Sequence, residues 1–195
     1  MVSFSQPLLL AVSQIREFER FLKSPLDTCI LMDMHINQLP ALMRAARSAG
    51  KRVFLHADLL HGLAADEYGC EYICQHLKAD GIISTKNRVL ETARRNHTAT
   101  ILRLFLIDTK SLDKGVALID SLRPDYVELL PGLACEVIPD LKKRLREKGA
   151  PEISLLCGGL IRTPEQITRC LRAGAHAVTL SDRRLAETFL ASIPV

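Results

Sequence analysis

Eight short apolar runs punctuate this chain, and a pattern suited to an amphipathic helix separates each from the next. Few folds accommodate that alternation. Runs that are apolar at consecutive positions suit strands buried on both faces, and such strands belong to parallel sheets covered by crossover helices. The predicted strands are Leu8–Val12, Thr28–Asp33, Arg52–Asp58, Gly81–Ser84, Thr100–Asp108, Asp125–Leu130, Ile153–Cys157 and Ala177–Ser181. Helices are predicted over Ser13–Lys23, Asn37–Ala49, Asp66–Lys78, Lys86–Arg95, Ser111–Leu122, Ala134–Lys148, Pro164–Arg172 and Arg183–Leu190. An open doubly wound sheet rarely needs so many strands, so the expected fold is a compact, TIM-barrel-like (β/α)8 barrel of parallel strands. The first unit is short and preceded by Pro7, which leaves seven regular units and a barrel that is incomplete if the first fails. No linker or composition break interrupts the 195 residues, so residues 1–195 read as a single domain.

Composition narrows the function classes. Hydrophobic residues make up 48% of the chain, enough for a substantial core, and no apolar run approaches the roughly 20 residues that span a bilayer. The N-terminus lacks the basic segment and small-residue cleavage site of a secretory signal. Six cysteines without a Cys-x-x-Cys motif, several in apolar runs, fit reduced thiols in a cytoplasmic protein. The net charge of +4 permits an anionic ligand or a nucleic-acid partner. With aromatics at 5% and no tryptophan, contact with RNA would read its backbone more than stack on its bases.

The stretch from Ile153 to Ile167 carries the most chemistry. An apolar run ends on Gly158 and Gly159, and Thr163, Pro164 and Gln166 then supply an N-cap, a first-turn proline and a capping box. A further run, Ala177 to Ser181, ends on a hydroxyl. Late units of a (β/α)8 barrel build phosphate sites in this way, from backbone N–H groups at the turns and a helix N-terminus. Polar residues or glycine close the other runs too: Asp33, His56 with Asp58, Ser84, Asp108 and Gly132. A barrel gathers such strand ends on one face, although strands must end somewhere and loops are polar in any case.

Two charges stand inside apolar strands, Arg103 and Glu128. A lone charge there costs several kcal/mol, so each needs a partner, and the two strands are consecutive. An Arg103–Glu128 pair is the simple solution. It serves either as a structural pair or as a site in which Arg103 meets a ligand phosphate. His56 and Asp58 are two residues apart on one predicted strand and so face the same way. With Asp33, His35 and His61 they offer metal ligands or acid–base groups, yet no tight ligand spacing exists, and no metal or cofactor is expected. Lys86 opens a helix after Ser84-Thr85 as an anion contact or an ordinary solvated lysine.

Several segments carry a resemblance: His56-Ala-Asp-Leu-Leu-His-Gly-Leu63, Asp80-Gly-Ile-Ile-Ser-Thr-Lys86, Arg103-Leu-Phe-Leu-Ile-Asp108, Pro124-Asp-Tyr-Val-Glu-Leu-Leu-Pro-Gly132 and Gly158-Gly-Leu-Ile-Arg-Thr163. In order, over nearly the whole chain, they resemble the glycerol-3-phosphate-responsive antiterminators. The resemblance implies a TIM-barrel-like, cytoplasmic transcription regulator. Such a regulator binds glycerol 3-phosphate and acts on the leader mRNA of glycerol-utilisation genes, and a homo-oligomer is compatible with it. Phosphate is then expected at Gly158, Gly159 and Ser181, with Arg103 or Lys86 supplying charge, and glycerol hydroxyls at Asp33, Asp58 and Glu128. His56 and Gly132 complete the expected ligand-binding set. The alternative is an enzyme acting on a small phosphorylated substrate, an isomerase, aldolase or phosphodiesterase. Against it, the strands offer no Schiff-base lysine and no convincing nucleophile.

Overall fold

A computed structural model of the chain describes Phe4 and residues 6–192. Its strands are β1 (Leu8–Val12), β2 (Thr28–Leu31), β3 (Arg52–His56), β4 (Gly81–Ser84), β5 (Ala99–Phe105), β6 (Tyr126–Leu130), β7 (Ser154–Gly158) and β8 (Ala177–Leu180). They follow chain order around a closed parallel barrel. Between them lie α1 (Ile15–Leu22), α2 (Leu39–Ser48), α3 (Glu67–Tyr72), α4 (Asn87–Arg95), α5 (Thr109–Leu122), α6 (Ile138–Glu147) and α7 (Pro164–Arg172), and α8 (Arg183–Ser192) closes the series. All eight units of the expected (β/α)8 fold are present, so the first one needs no exception. Pro7 does not weaken β1, because its contribution is a carbonyl that accepts the Val178 N–H at 2.9 Å. A proline just before the first strand residue removes no donor that the ladder uses.

The chain divides into two compact units. The first holds Ala11–Leu102, with β2, β3 and β4 in parallel register from Thr28↔Arg52 to His56↔Ile83. Every residue of β2 and β4 is buried, as near-continuous apolar runs require. Helix α2 buries Leu39, Leu42, Met43 and Ala46, the one-sided spacing of a helix packed on a sheet. Gly81 opens β4 where a Cβ would lie 2.0 Å from the Phe54 ring, so only glycine lets the strand approach that side chain.

Two expectations for this unit need correction, and a third is met with an irregularity. β2 stops at Leu31, and Asp33 beyond it adopts φ 56°, an uncommon left-handed conformation for a residue other than glycine. β3 stops at His56, and Ala57–Leu59 wind into a 3-10 turn, so His56 and Asp58 do not share one face of a strand. The predicted helix from Asp66 is α3, capped by the Asp66 carboxylate, which accepts the Gly69 N–H at 2.9 Å. It then widens into a π-helical turn, Ile73–Leu77.

The second unit holds Pro7–Leu10 and the chain from Arg103 onward. β6 and β7 pair with Glu128 opposite Leu156, and β7 and β8 pair with Gly158 opposite Thr179. β5 ends at Phe105, earlier than predicted, because Asp108 is used as the N-cap of α5 in a capping box with Ser111. β7 runs one residue beyond the prediction and includes Gly158. Helix α7 has its predicted bounds, with Thr163 and Gln166 forming the predicted capping box.

Candidate functional site

Two polar clusters form at strand ends, one in each unit. In the second unit the central group is Glu128, whose side chain is 1% exposed within apolar β6. Its Oε2 accepts Arg103 Nε–H at 2.6 Å, which is the pair expected from two charges in adjacent apolar strands. Its Oε1 accepts the Thr179 hydroxyl at 2.5 Å. A buried carboxylate is tolerable only with such partners, and here a cation and a hydroxyl take one oxygen each. Only Nε of the Arg103 guanidinium is engaged among the described residues, and the arginine side chain keeps 15% exposure. The two Nη groups therefore remain as a fork that suits a carboxylate or phosphate.

Gly158 makes room for this arrangement. A Cβ there would sit 2.2 Å from Thr179 Oγ1 and 2.7 Å from Glu128 Oε1. Here glycine is required by the space that the hydrogen bond occupies. Gly159 (φ 75°) and Leu160 (φ 60°) follow in consecutive left-handed conformations, which turn the backbone sharply after β7. Because Gly158 is level with Thr179, the turns after β7 and β8 begin side by side. Gly159 and Ser181 are the first residues of these two turns, and Asp182 beside Ser181 caps α8 by accepting the Leu185 N–H. Gly132 is differently placed. Its N–H donates to the Gly159 carbonyl at 3.1 Å, and a Cβ would meet Ile161 at 2.6 Å, so it braces the turn with an amide already committed.

In the first unit Asp58 organises the polar groups. Its carboxylate accepts Ser84 Oγ–H at 2.5 Å, Thr85 N–H at 2.7 Å and Thr85 Oγ1–H at 2.9 Å. Burial alone would raise its pKa, but these hydrogen bonds and the neighbouring His56 outweigh burial and hold it below the ordinary carboxylate value. His56 itself is buried. Lys86 donates its Nζ to the Ala65 carbonyl at 3.0 Å, which ties the β3–α3 connection to the start of α4. Asp33 is exposed, and its N–H donates to the Leu59 carbonyl at 2.9 Å. His35 and His61 form an isolated parallel bridge beyond the strands. Among the described residues no three His, Cys, Asp or Glu side chains are grouped to hold a metal ion.

The structure thus gathers Arg103, Glu128 and Gly158 tightly, with Gly159 and Ser181 on the turns that follow, and separately joins Asp58 to Ser84 and Thr85. Thr179 and Thr85 were not foreseen. A threonine inside an apolar strand reads as ordinary β-sheet composition, and only the pairing register places Thr179 opposite Gly158.

Comparison with known proteins gives this geometry a context. A model of the family described as glycerol-3-phosphate responsive antiterminator matches residues 8–186. The crystal structure of a glycerol uptake operon antiterminator regulatory protein from Listeria monocytogenes is similar at a TM-score of 0.86 and 37% identity, covering 94% of this chain and 96% of that one. A glycerol uptake operon antiterminator-related protein from Thermotoga maritima is similar at a TM-score of 0.79 and 26% identity, over 93% and 98% of the two chains. An Escherichia coli protein, YgcP, is 29% identical over 179 residues, 90% of this chain and 89% of its own length. Among the described residues no helix is long and apolar enough to cross a membrane.

Proposed function

This chain belongs to the glycerol-3-phosphate responsive antiterminator family, and from that premise we propose that it binds glycerol 3-phosphate and then acts on leader mRNA. The observation that supports this reading best is Arg103, fixed through Nε by a buried carboxylate while both of its Nη groups stay uncommitted among the described residues. In the proposed site the phosphate lies on that fork and on the Gly159 and Ser181 amides, with Gly158 allowing the close approach. Of the remaining candidates, Asp33, Asp58 and Lys86 are assigned a part in ligand recognition that separate substitutions test, and His56, at 2% exposure, is covered by protein groups and is assigned to Asp58 beside it. Glu128 is assigned to Arg103, since at 1% exposure its carboxylate is covered by protein groups. Regulation follows if ligand and RNA favour the same arrangement of the strand-end turns, because a ligand shifts only states that it binds unequally.

Thermal and denaturant unfolding with glycerol 3-phosphate, glycerol and inorganic phosphate test the ligand. Glycerol 3-phosphate at a hundredfold its dissociation constant should stabilise the protein by about 2.7 kcal/mol. Glycerol alone should leave it unchanged. Equal stabilisation by inorganic phosphate would reduce the site to a general anion site. Leader-transcript binding that strengthens with glycerol 3-phosphate and weakens with salt is the matching test for RNA. Steady turnover of glycerol 3-phosphate that is lost on His56→Ala would instead favour an enzyme.

A further inference from the structure

We propose that Thr179 is a positioning residue for anion binding: through the Glu128 carboxylate it fixes Arg103 so that the guanidinium fork faces the ligand. The inference rests on the ligand reading above and adds a residue that neither the family match nor the sequence singles out. Thr179 is 6% exposed and therefore acts through its neighbours. Its hydroxyl has two acceptors within reach, Glu128 Oε1 at 2.5 Å and the Cys157 carbonyl at 3.5 Å. One hydroxyl carries one proton, and the shorter, charged acceptor takes it.

A carboxylate held by one oxygen can rotate about its terminal torsion, which is broad and roughly two-fold. Held at Oε1 by Thr179, the Glu128 carboxylate presents Oε2 in a single direction, and Arg103 Nε–H meets it at 2.6 Å. Fixing Nε fixes the plane of the guanidinium and hence the direction of its Nη groups. Gly158 belongs to the same device, since a side chain there would occupy the position of the Thr179 hydroxyl. The anionic end of the ligand is therefore selected by a preset fork. A mobile cation would supply the same charge without the same geometry.

The test compares the full chain with Thr179→Val, which keeps the shape and removes the donor, and Thr179→Ser, which restores it. The first readout needs no ligand: the exchange rate of the Arg103 Nε–H by NMR. Thr179→Val should accelerate it at least tenfold, and Thr179→Ser should return it to within threefold of the unsubstituted chain. The second readout is glycerol 3-phosphate affinity by calorimetry, expected to fall about tenfold in Thr179→Val and to recover in Thr179→Ser. Unchanged Arg103 exchange in Thr179→Val overturns the inference, as does unchanged affinity alongside accelerated exchange. If the unsubstituted chain does not bind glycerol 3-phosphate, the ligand reading fails, and inorganic phosphate becomes the probe for the same affinity comparison. Far-ultraviolet circular dichroism of each variant separates loss of positioning from loss of fold.

Discussion

Glu128 and Asp58 are both carboxylates, one in the middle of β6 and one in the turn after β3, and their partners differ in kind. Glu128 is almost fully covered and is neutralised by a cation, Arg103, with Thr179 as a second donor. Asp58 is half-buried and is held by neutral donors, the Ser84 and Thr85 hydroxyls and the Thr85 amide. The first arrangement removes the charge of the acid from outside view and exports the direction of a cation. The second keeps a net negative charge, stabilised by dipoles, which is suited to meeting a hydroxyl or another cation. The same carboxylate chemistry is thus stabilised in two ways, by a cation in one cluster and chiefly by hydroxyl and amide donors in the other.

Substitutions should expose that contrast in order of size. Arg103→Gln leaves a covered carboxylate without its cation, and unfolding in urea should show a loss of about 3–5 kcal/mol, with glycerol 3-phosphate binding abolished. Asp58→Asn exchanges one acceptor set for a weaker one and should cost about 1 kcal/mol. Equal losses in these two variants would break the comparison. Between them in size are two glycine variants, each expected to cost about 1–3 kcal/mol from overpacking. Gly158→Ala, which strikes the Thr179 hydroxyl, should also weaken the ligand. Gly81→Ala, which strikes the Phe54 ring, should destabilise by a similar amount with the ligand's dissociation constant unchanged.

The smallest effect lies in acid. The Ser84 and Thr85 hydrogen bonds outweigh burial and hold the folded pKa of Asp58 below the ordinary aspartate value. The unfolded chain therefore takes up this proton first as the pH drops, and the stability contributed by Asp58 is full above the unfolded value and lost as the pH falls through the folded one. Denaturant midpoints measured between about pH 5 and pH 2 should fall less steeply in Asp58→Asn than in the unsubstituted chain. Parallel slopes would show that the hydroxyl donors do not favour the ionised form.

The sequence made the barrel legible because strand and helix alternate in every unit with apolar runs of the right length. It also exposed the Arg103–Glu128 pair, since a charge between apolar neighbours requires a partner and consecutive strands supply one. The capping box at Thr163 and Gln166 was readable because its chemistry is local. What stayed hidden depends on contacts distant in sequence. Thr179 meets a carboxylate 51 residues away, and Asp58 meets hydroxyls 26 and 27 residues away. β3 ends earlier than its pattern, because His56 to Asp58 continue a plausible strand alternation while the backbone tightens into a 3-10 turn. Lys86 looked like a free first-turn cation, but a carbonyl 21 residues back takes its ammonium.

The N-terminal strand has a consequence for how the molecule is assembled. Leu8, Leu9 and Leu10 are ladder partners of Val178, Thr179 and Leu180, so some 170 residues of chain separate the two edges of that seam. On the ribosome the early strand is made first and must wait for the last one, and closure over so long an interval is slow. A fragment starting at Arg103 would carry β8 with a bare edge, including the neighbours of Thr179. Such an edge is prone to recruit foreign strands. The residue proposed to aim the anion fork therefore sits on a seam that closes only after β8 itself has been made.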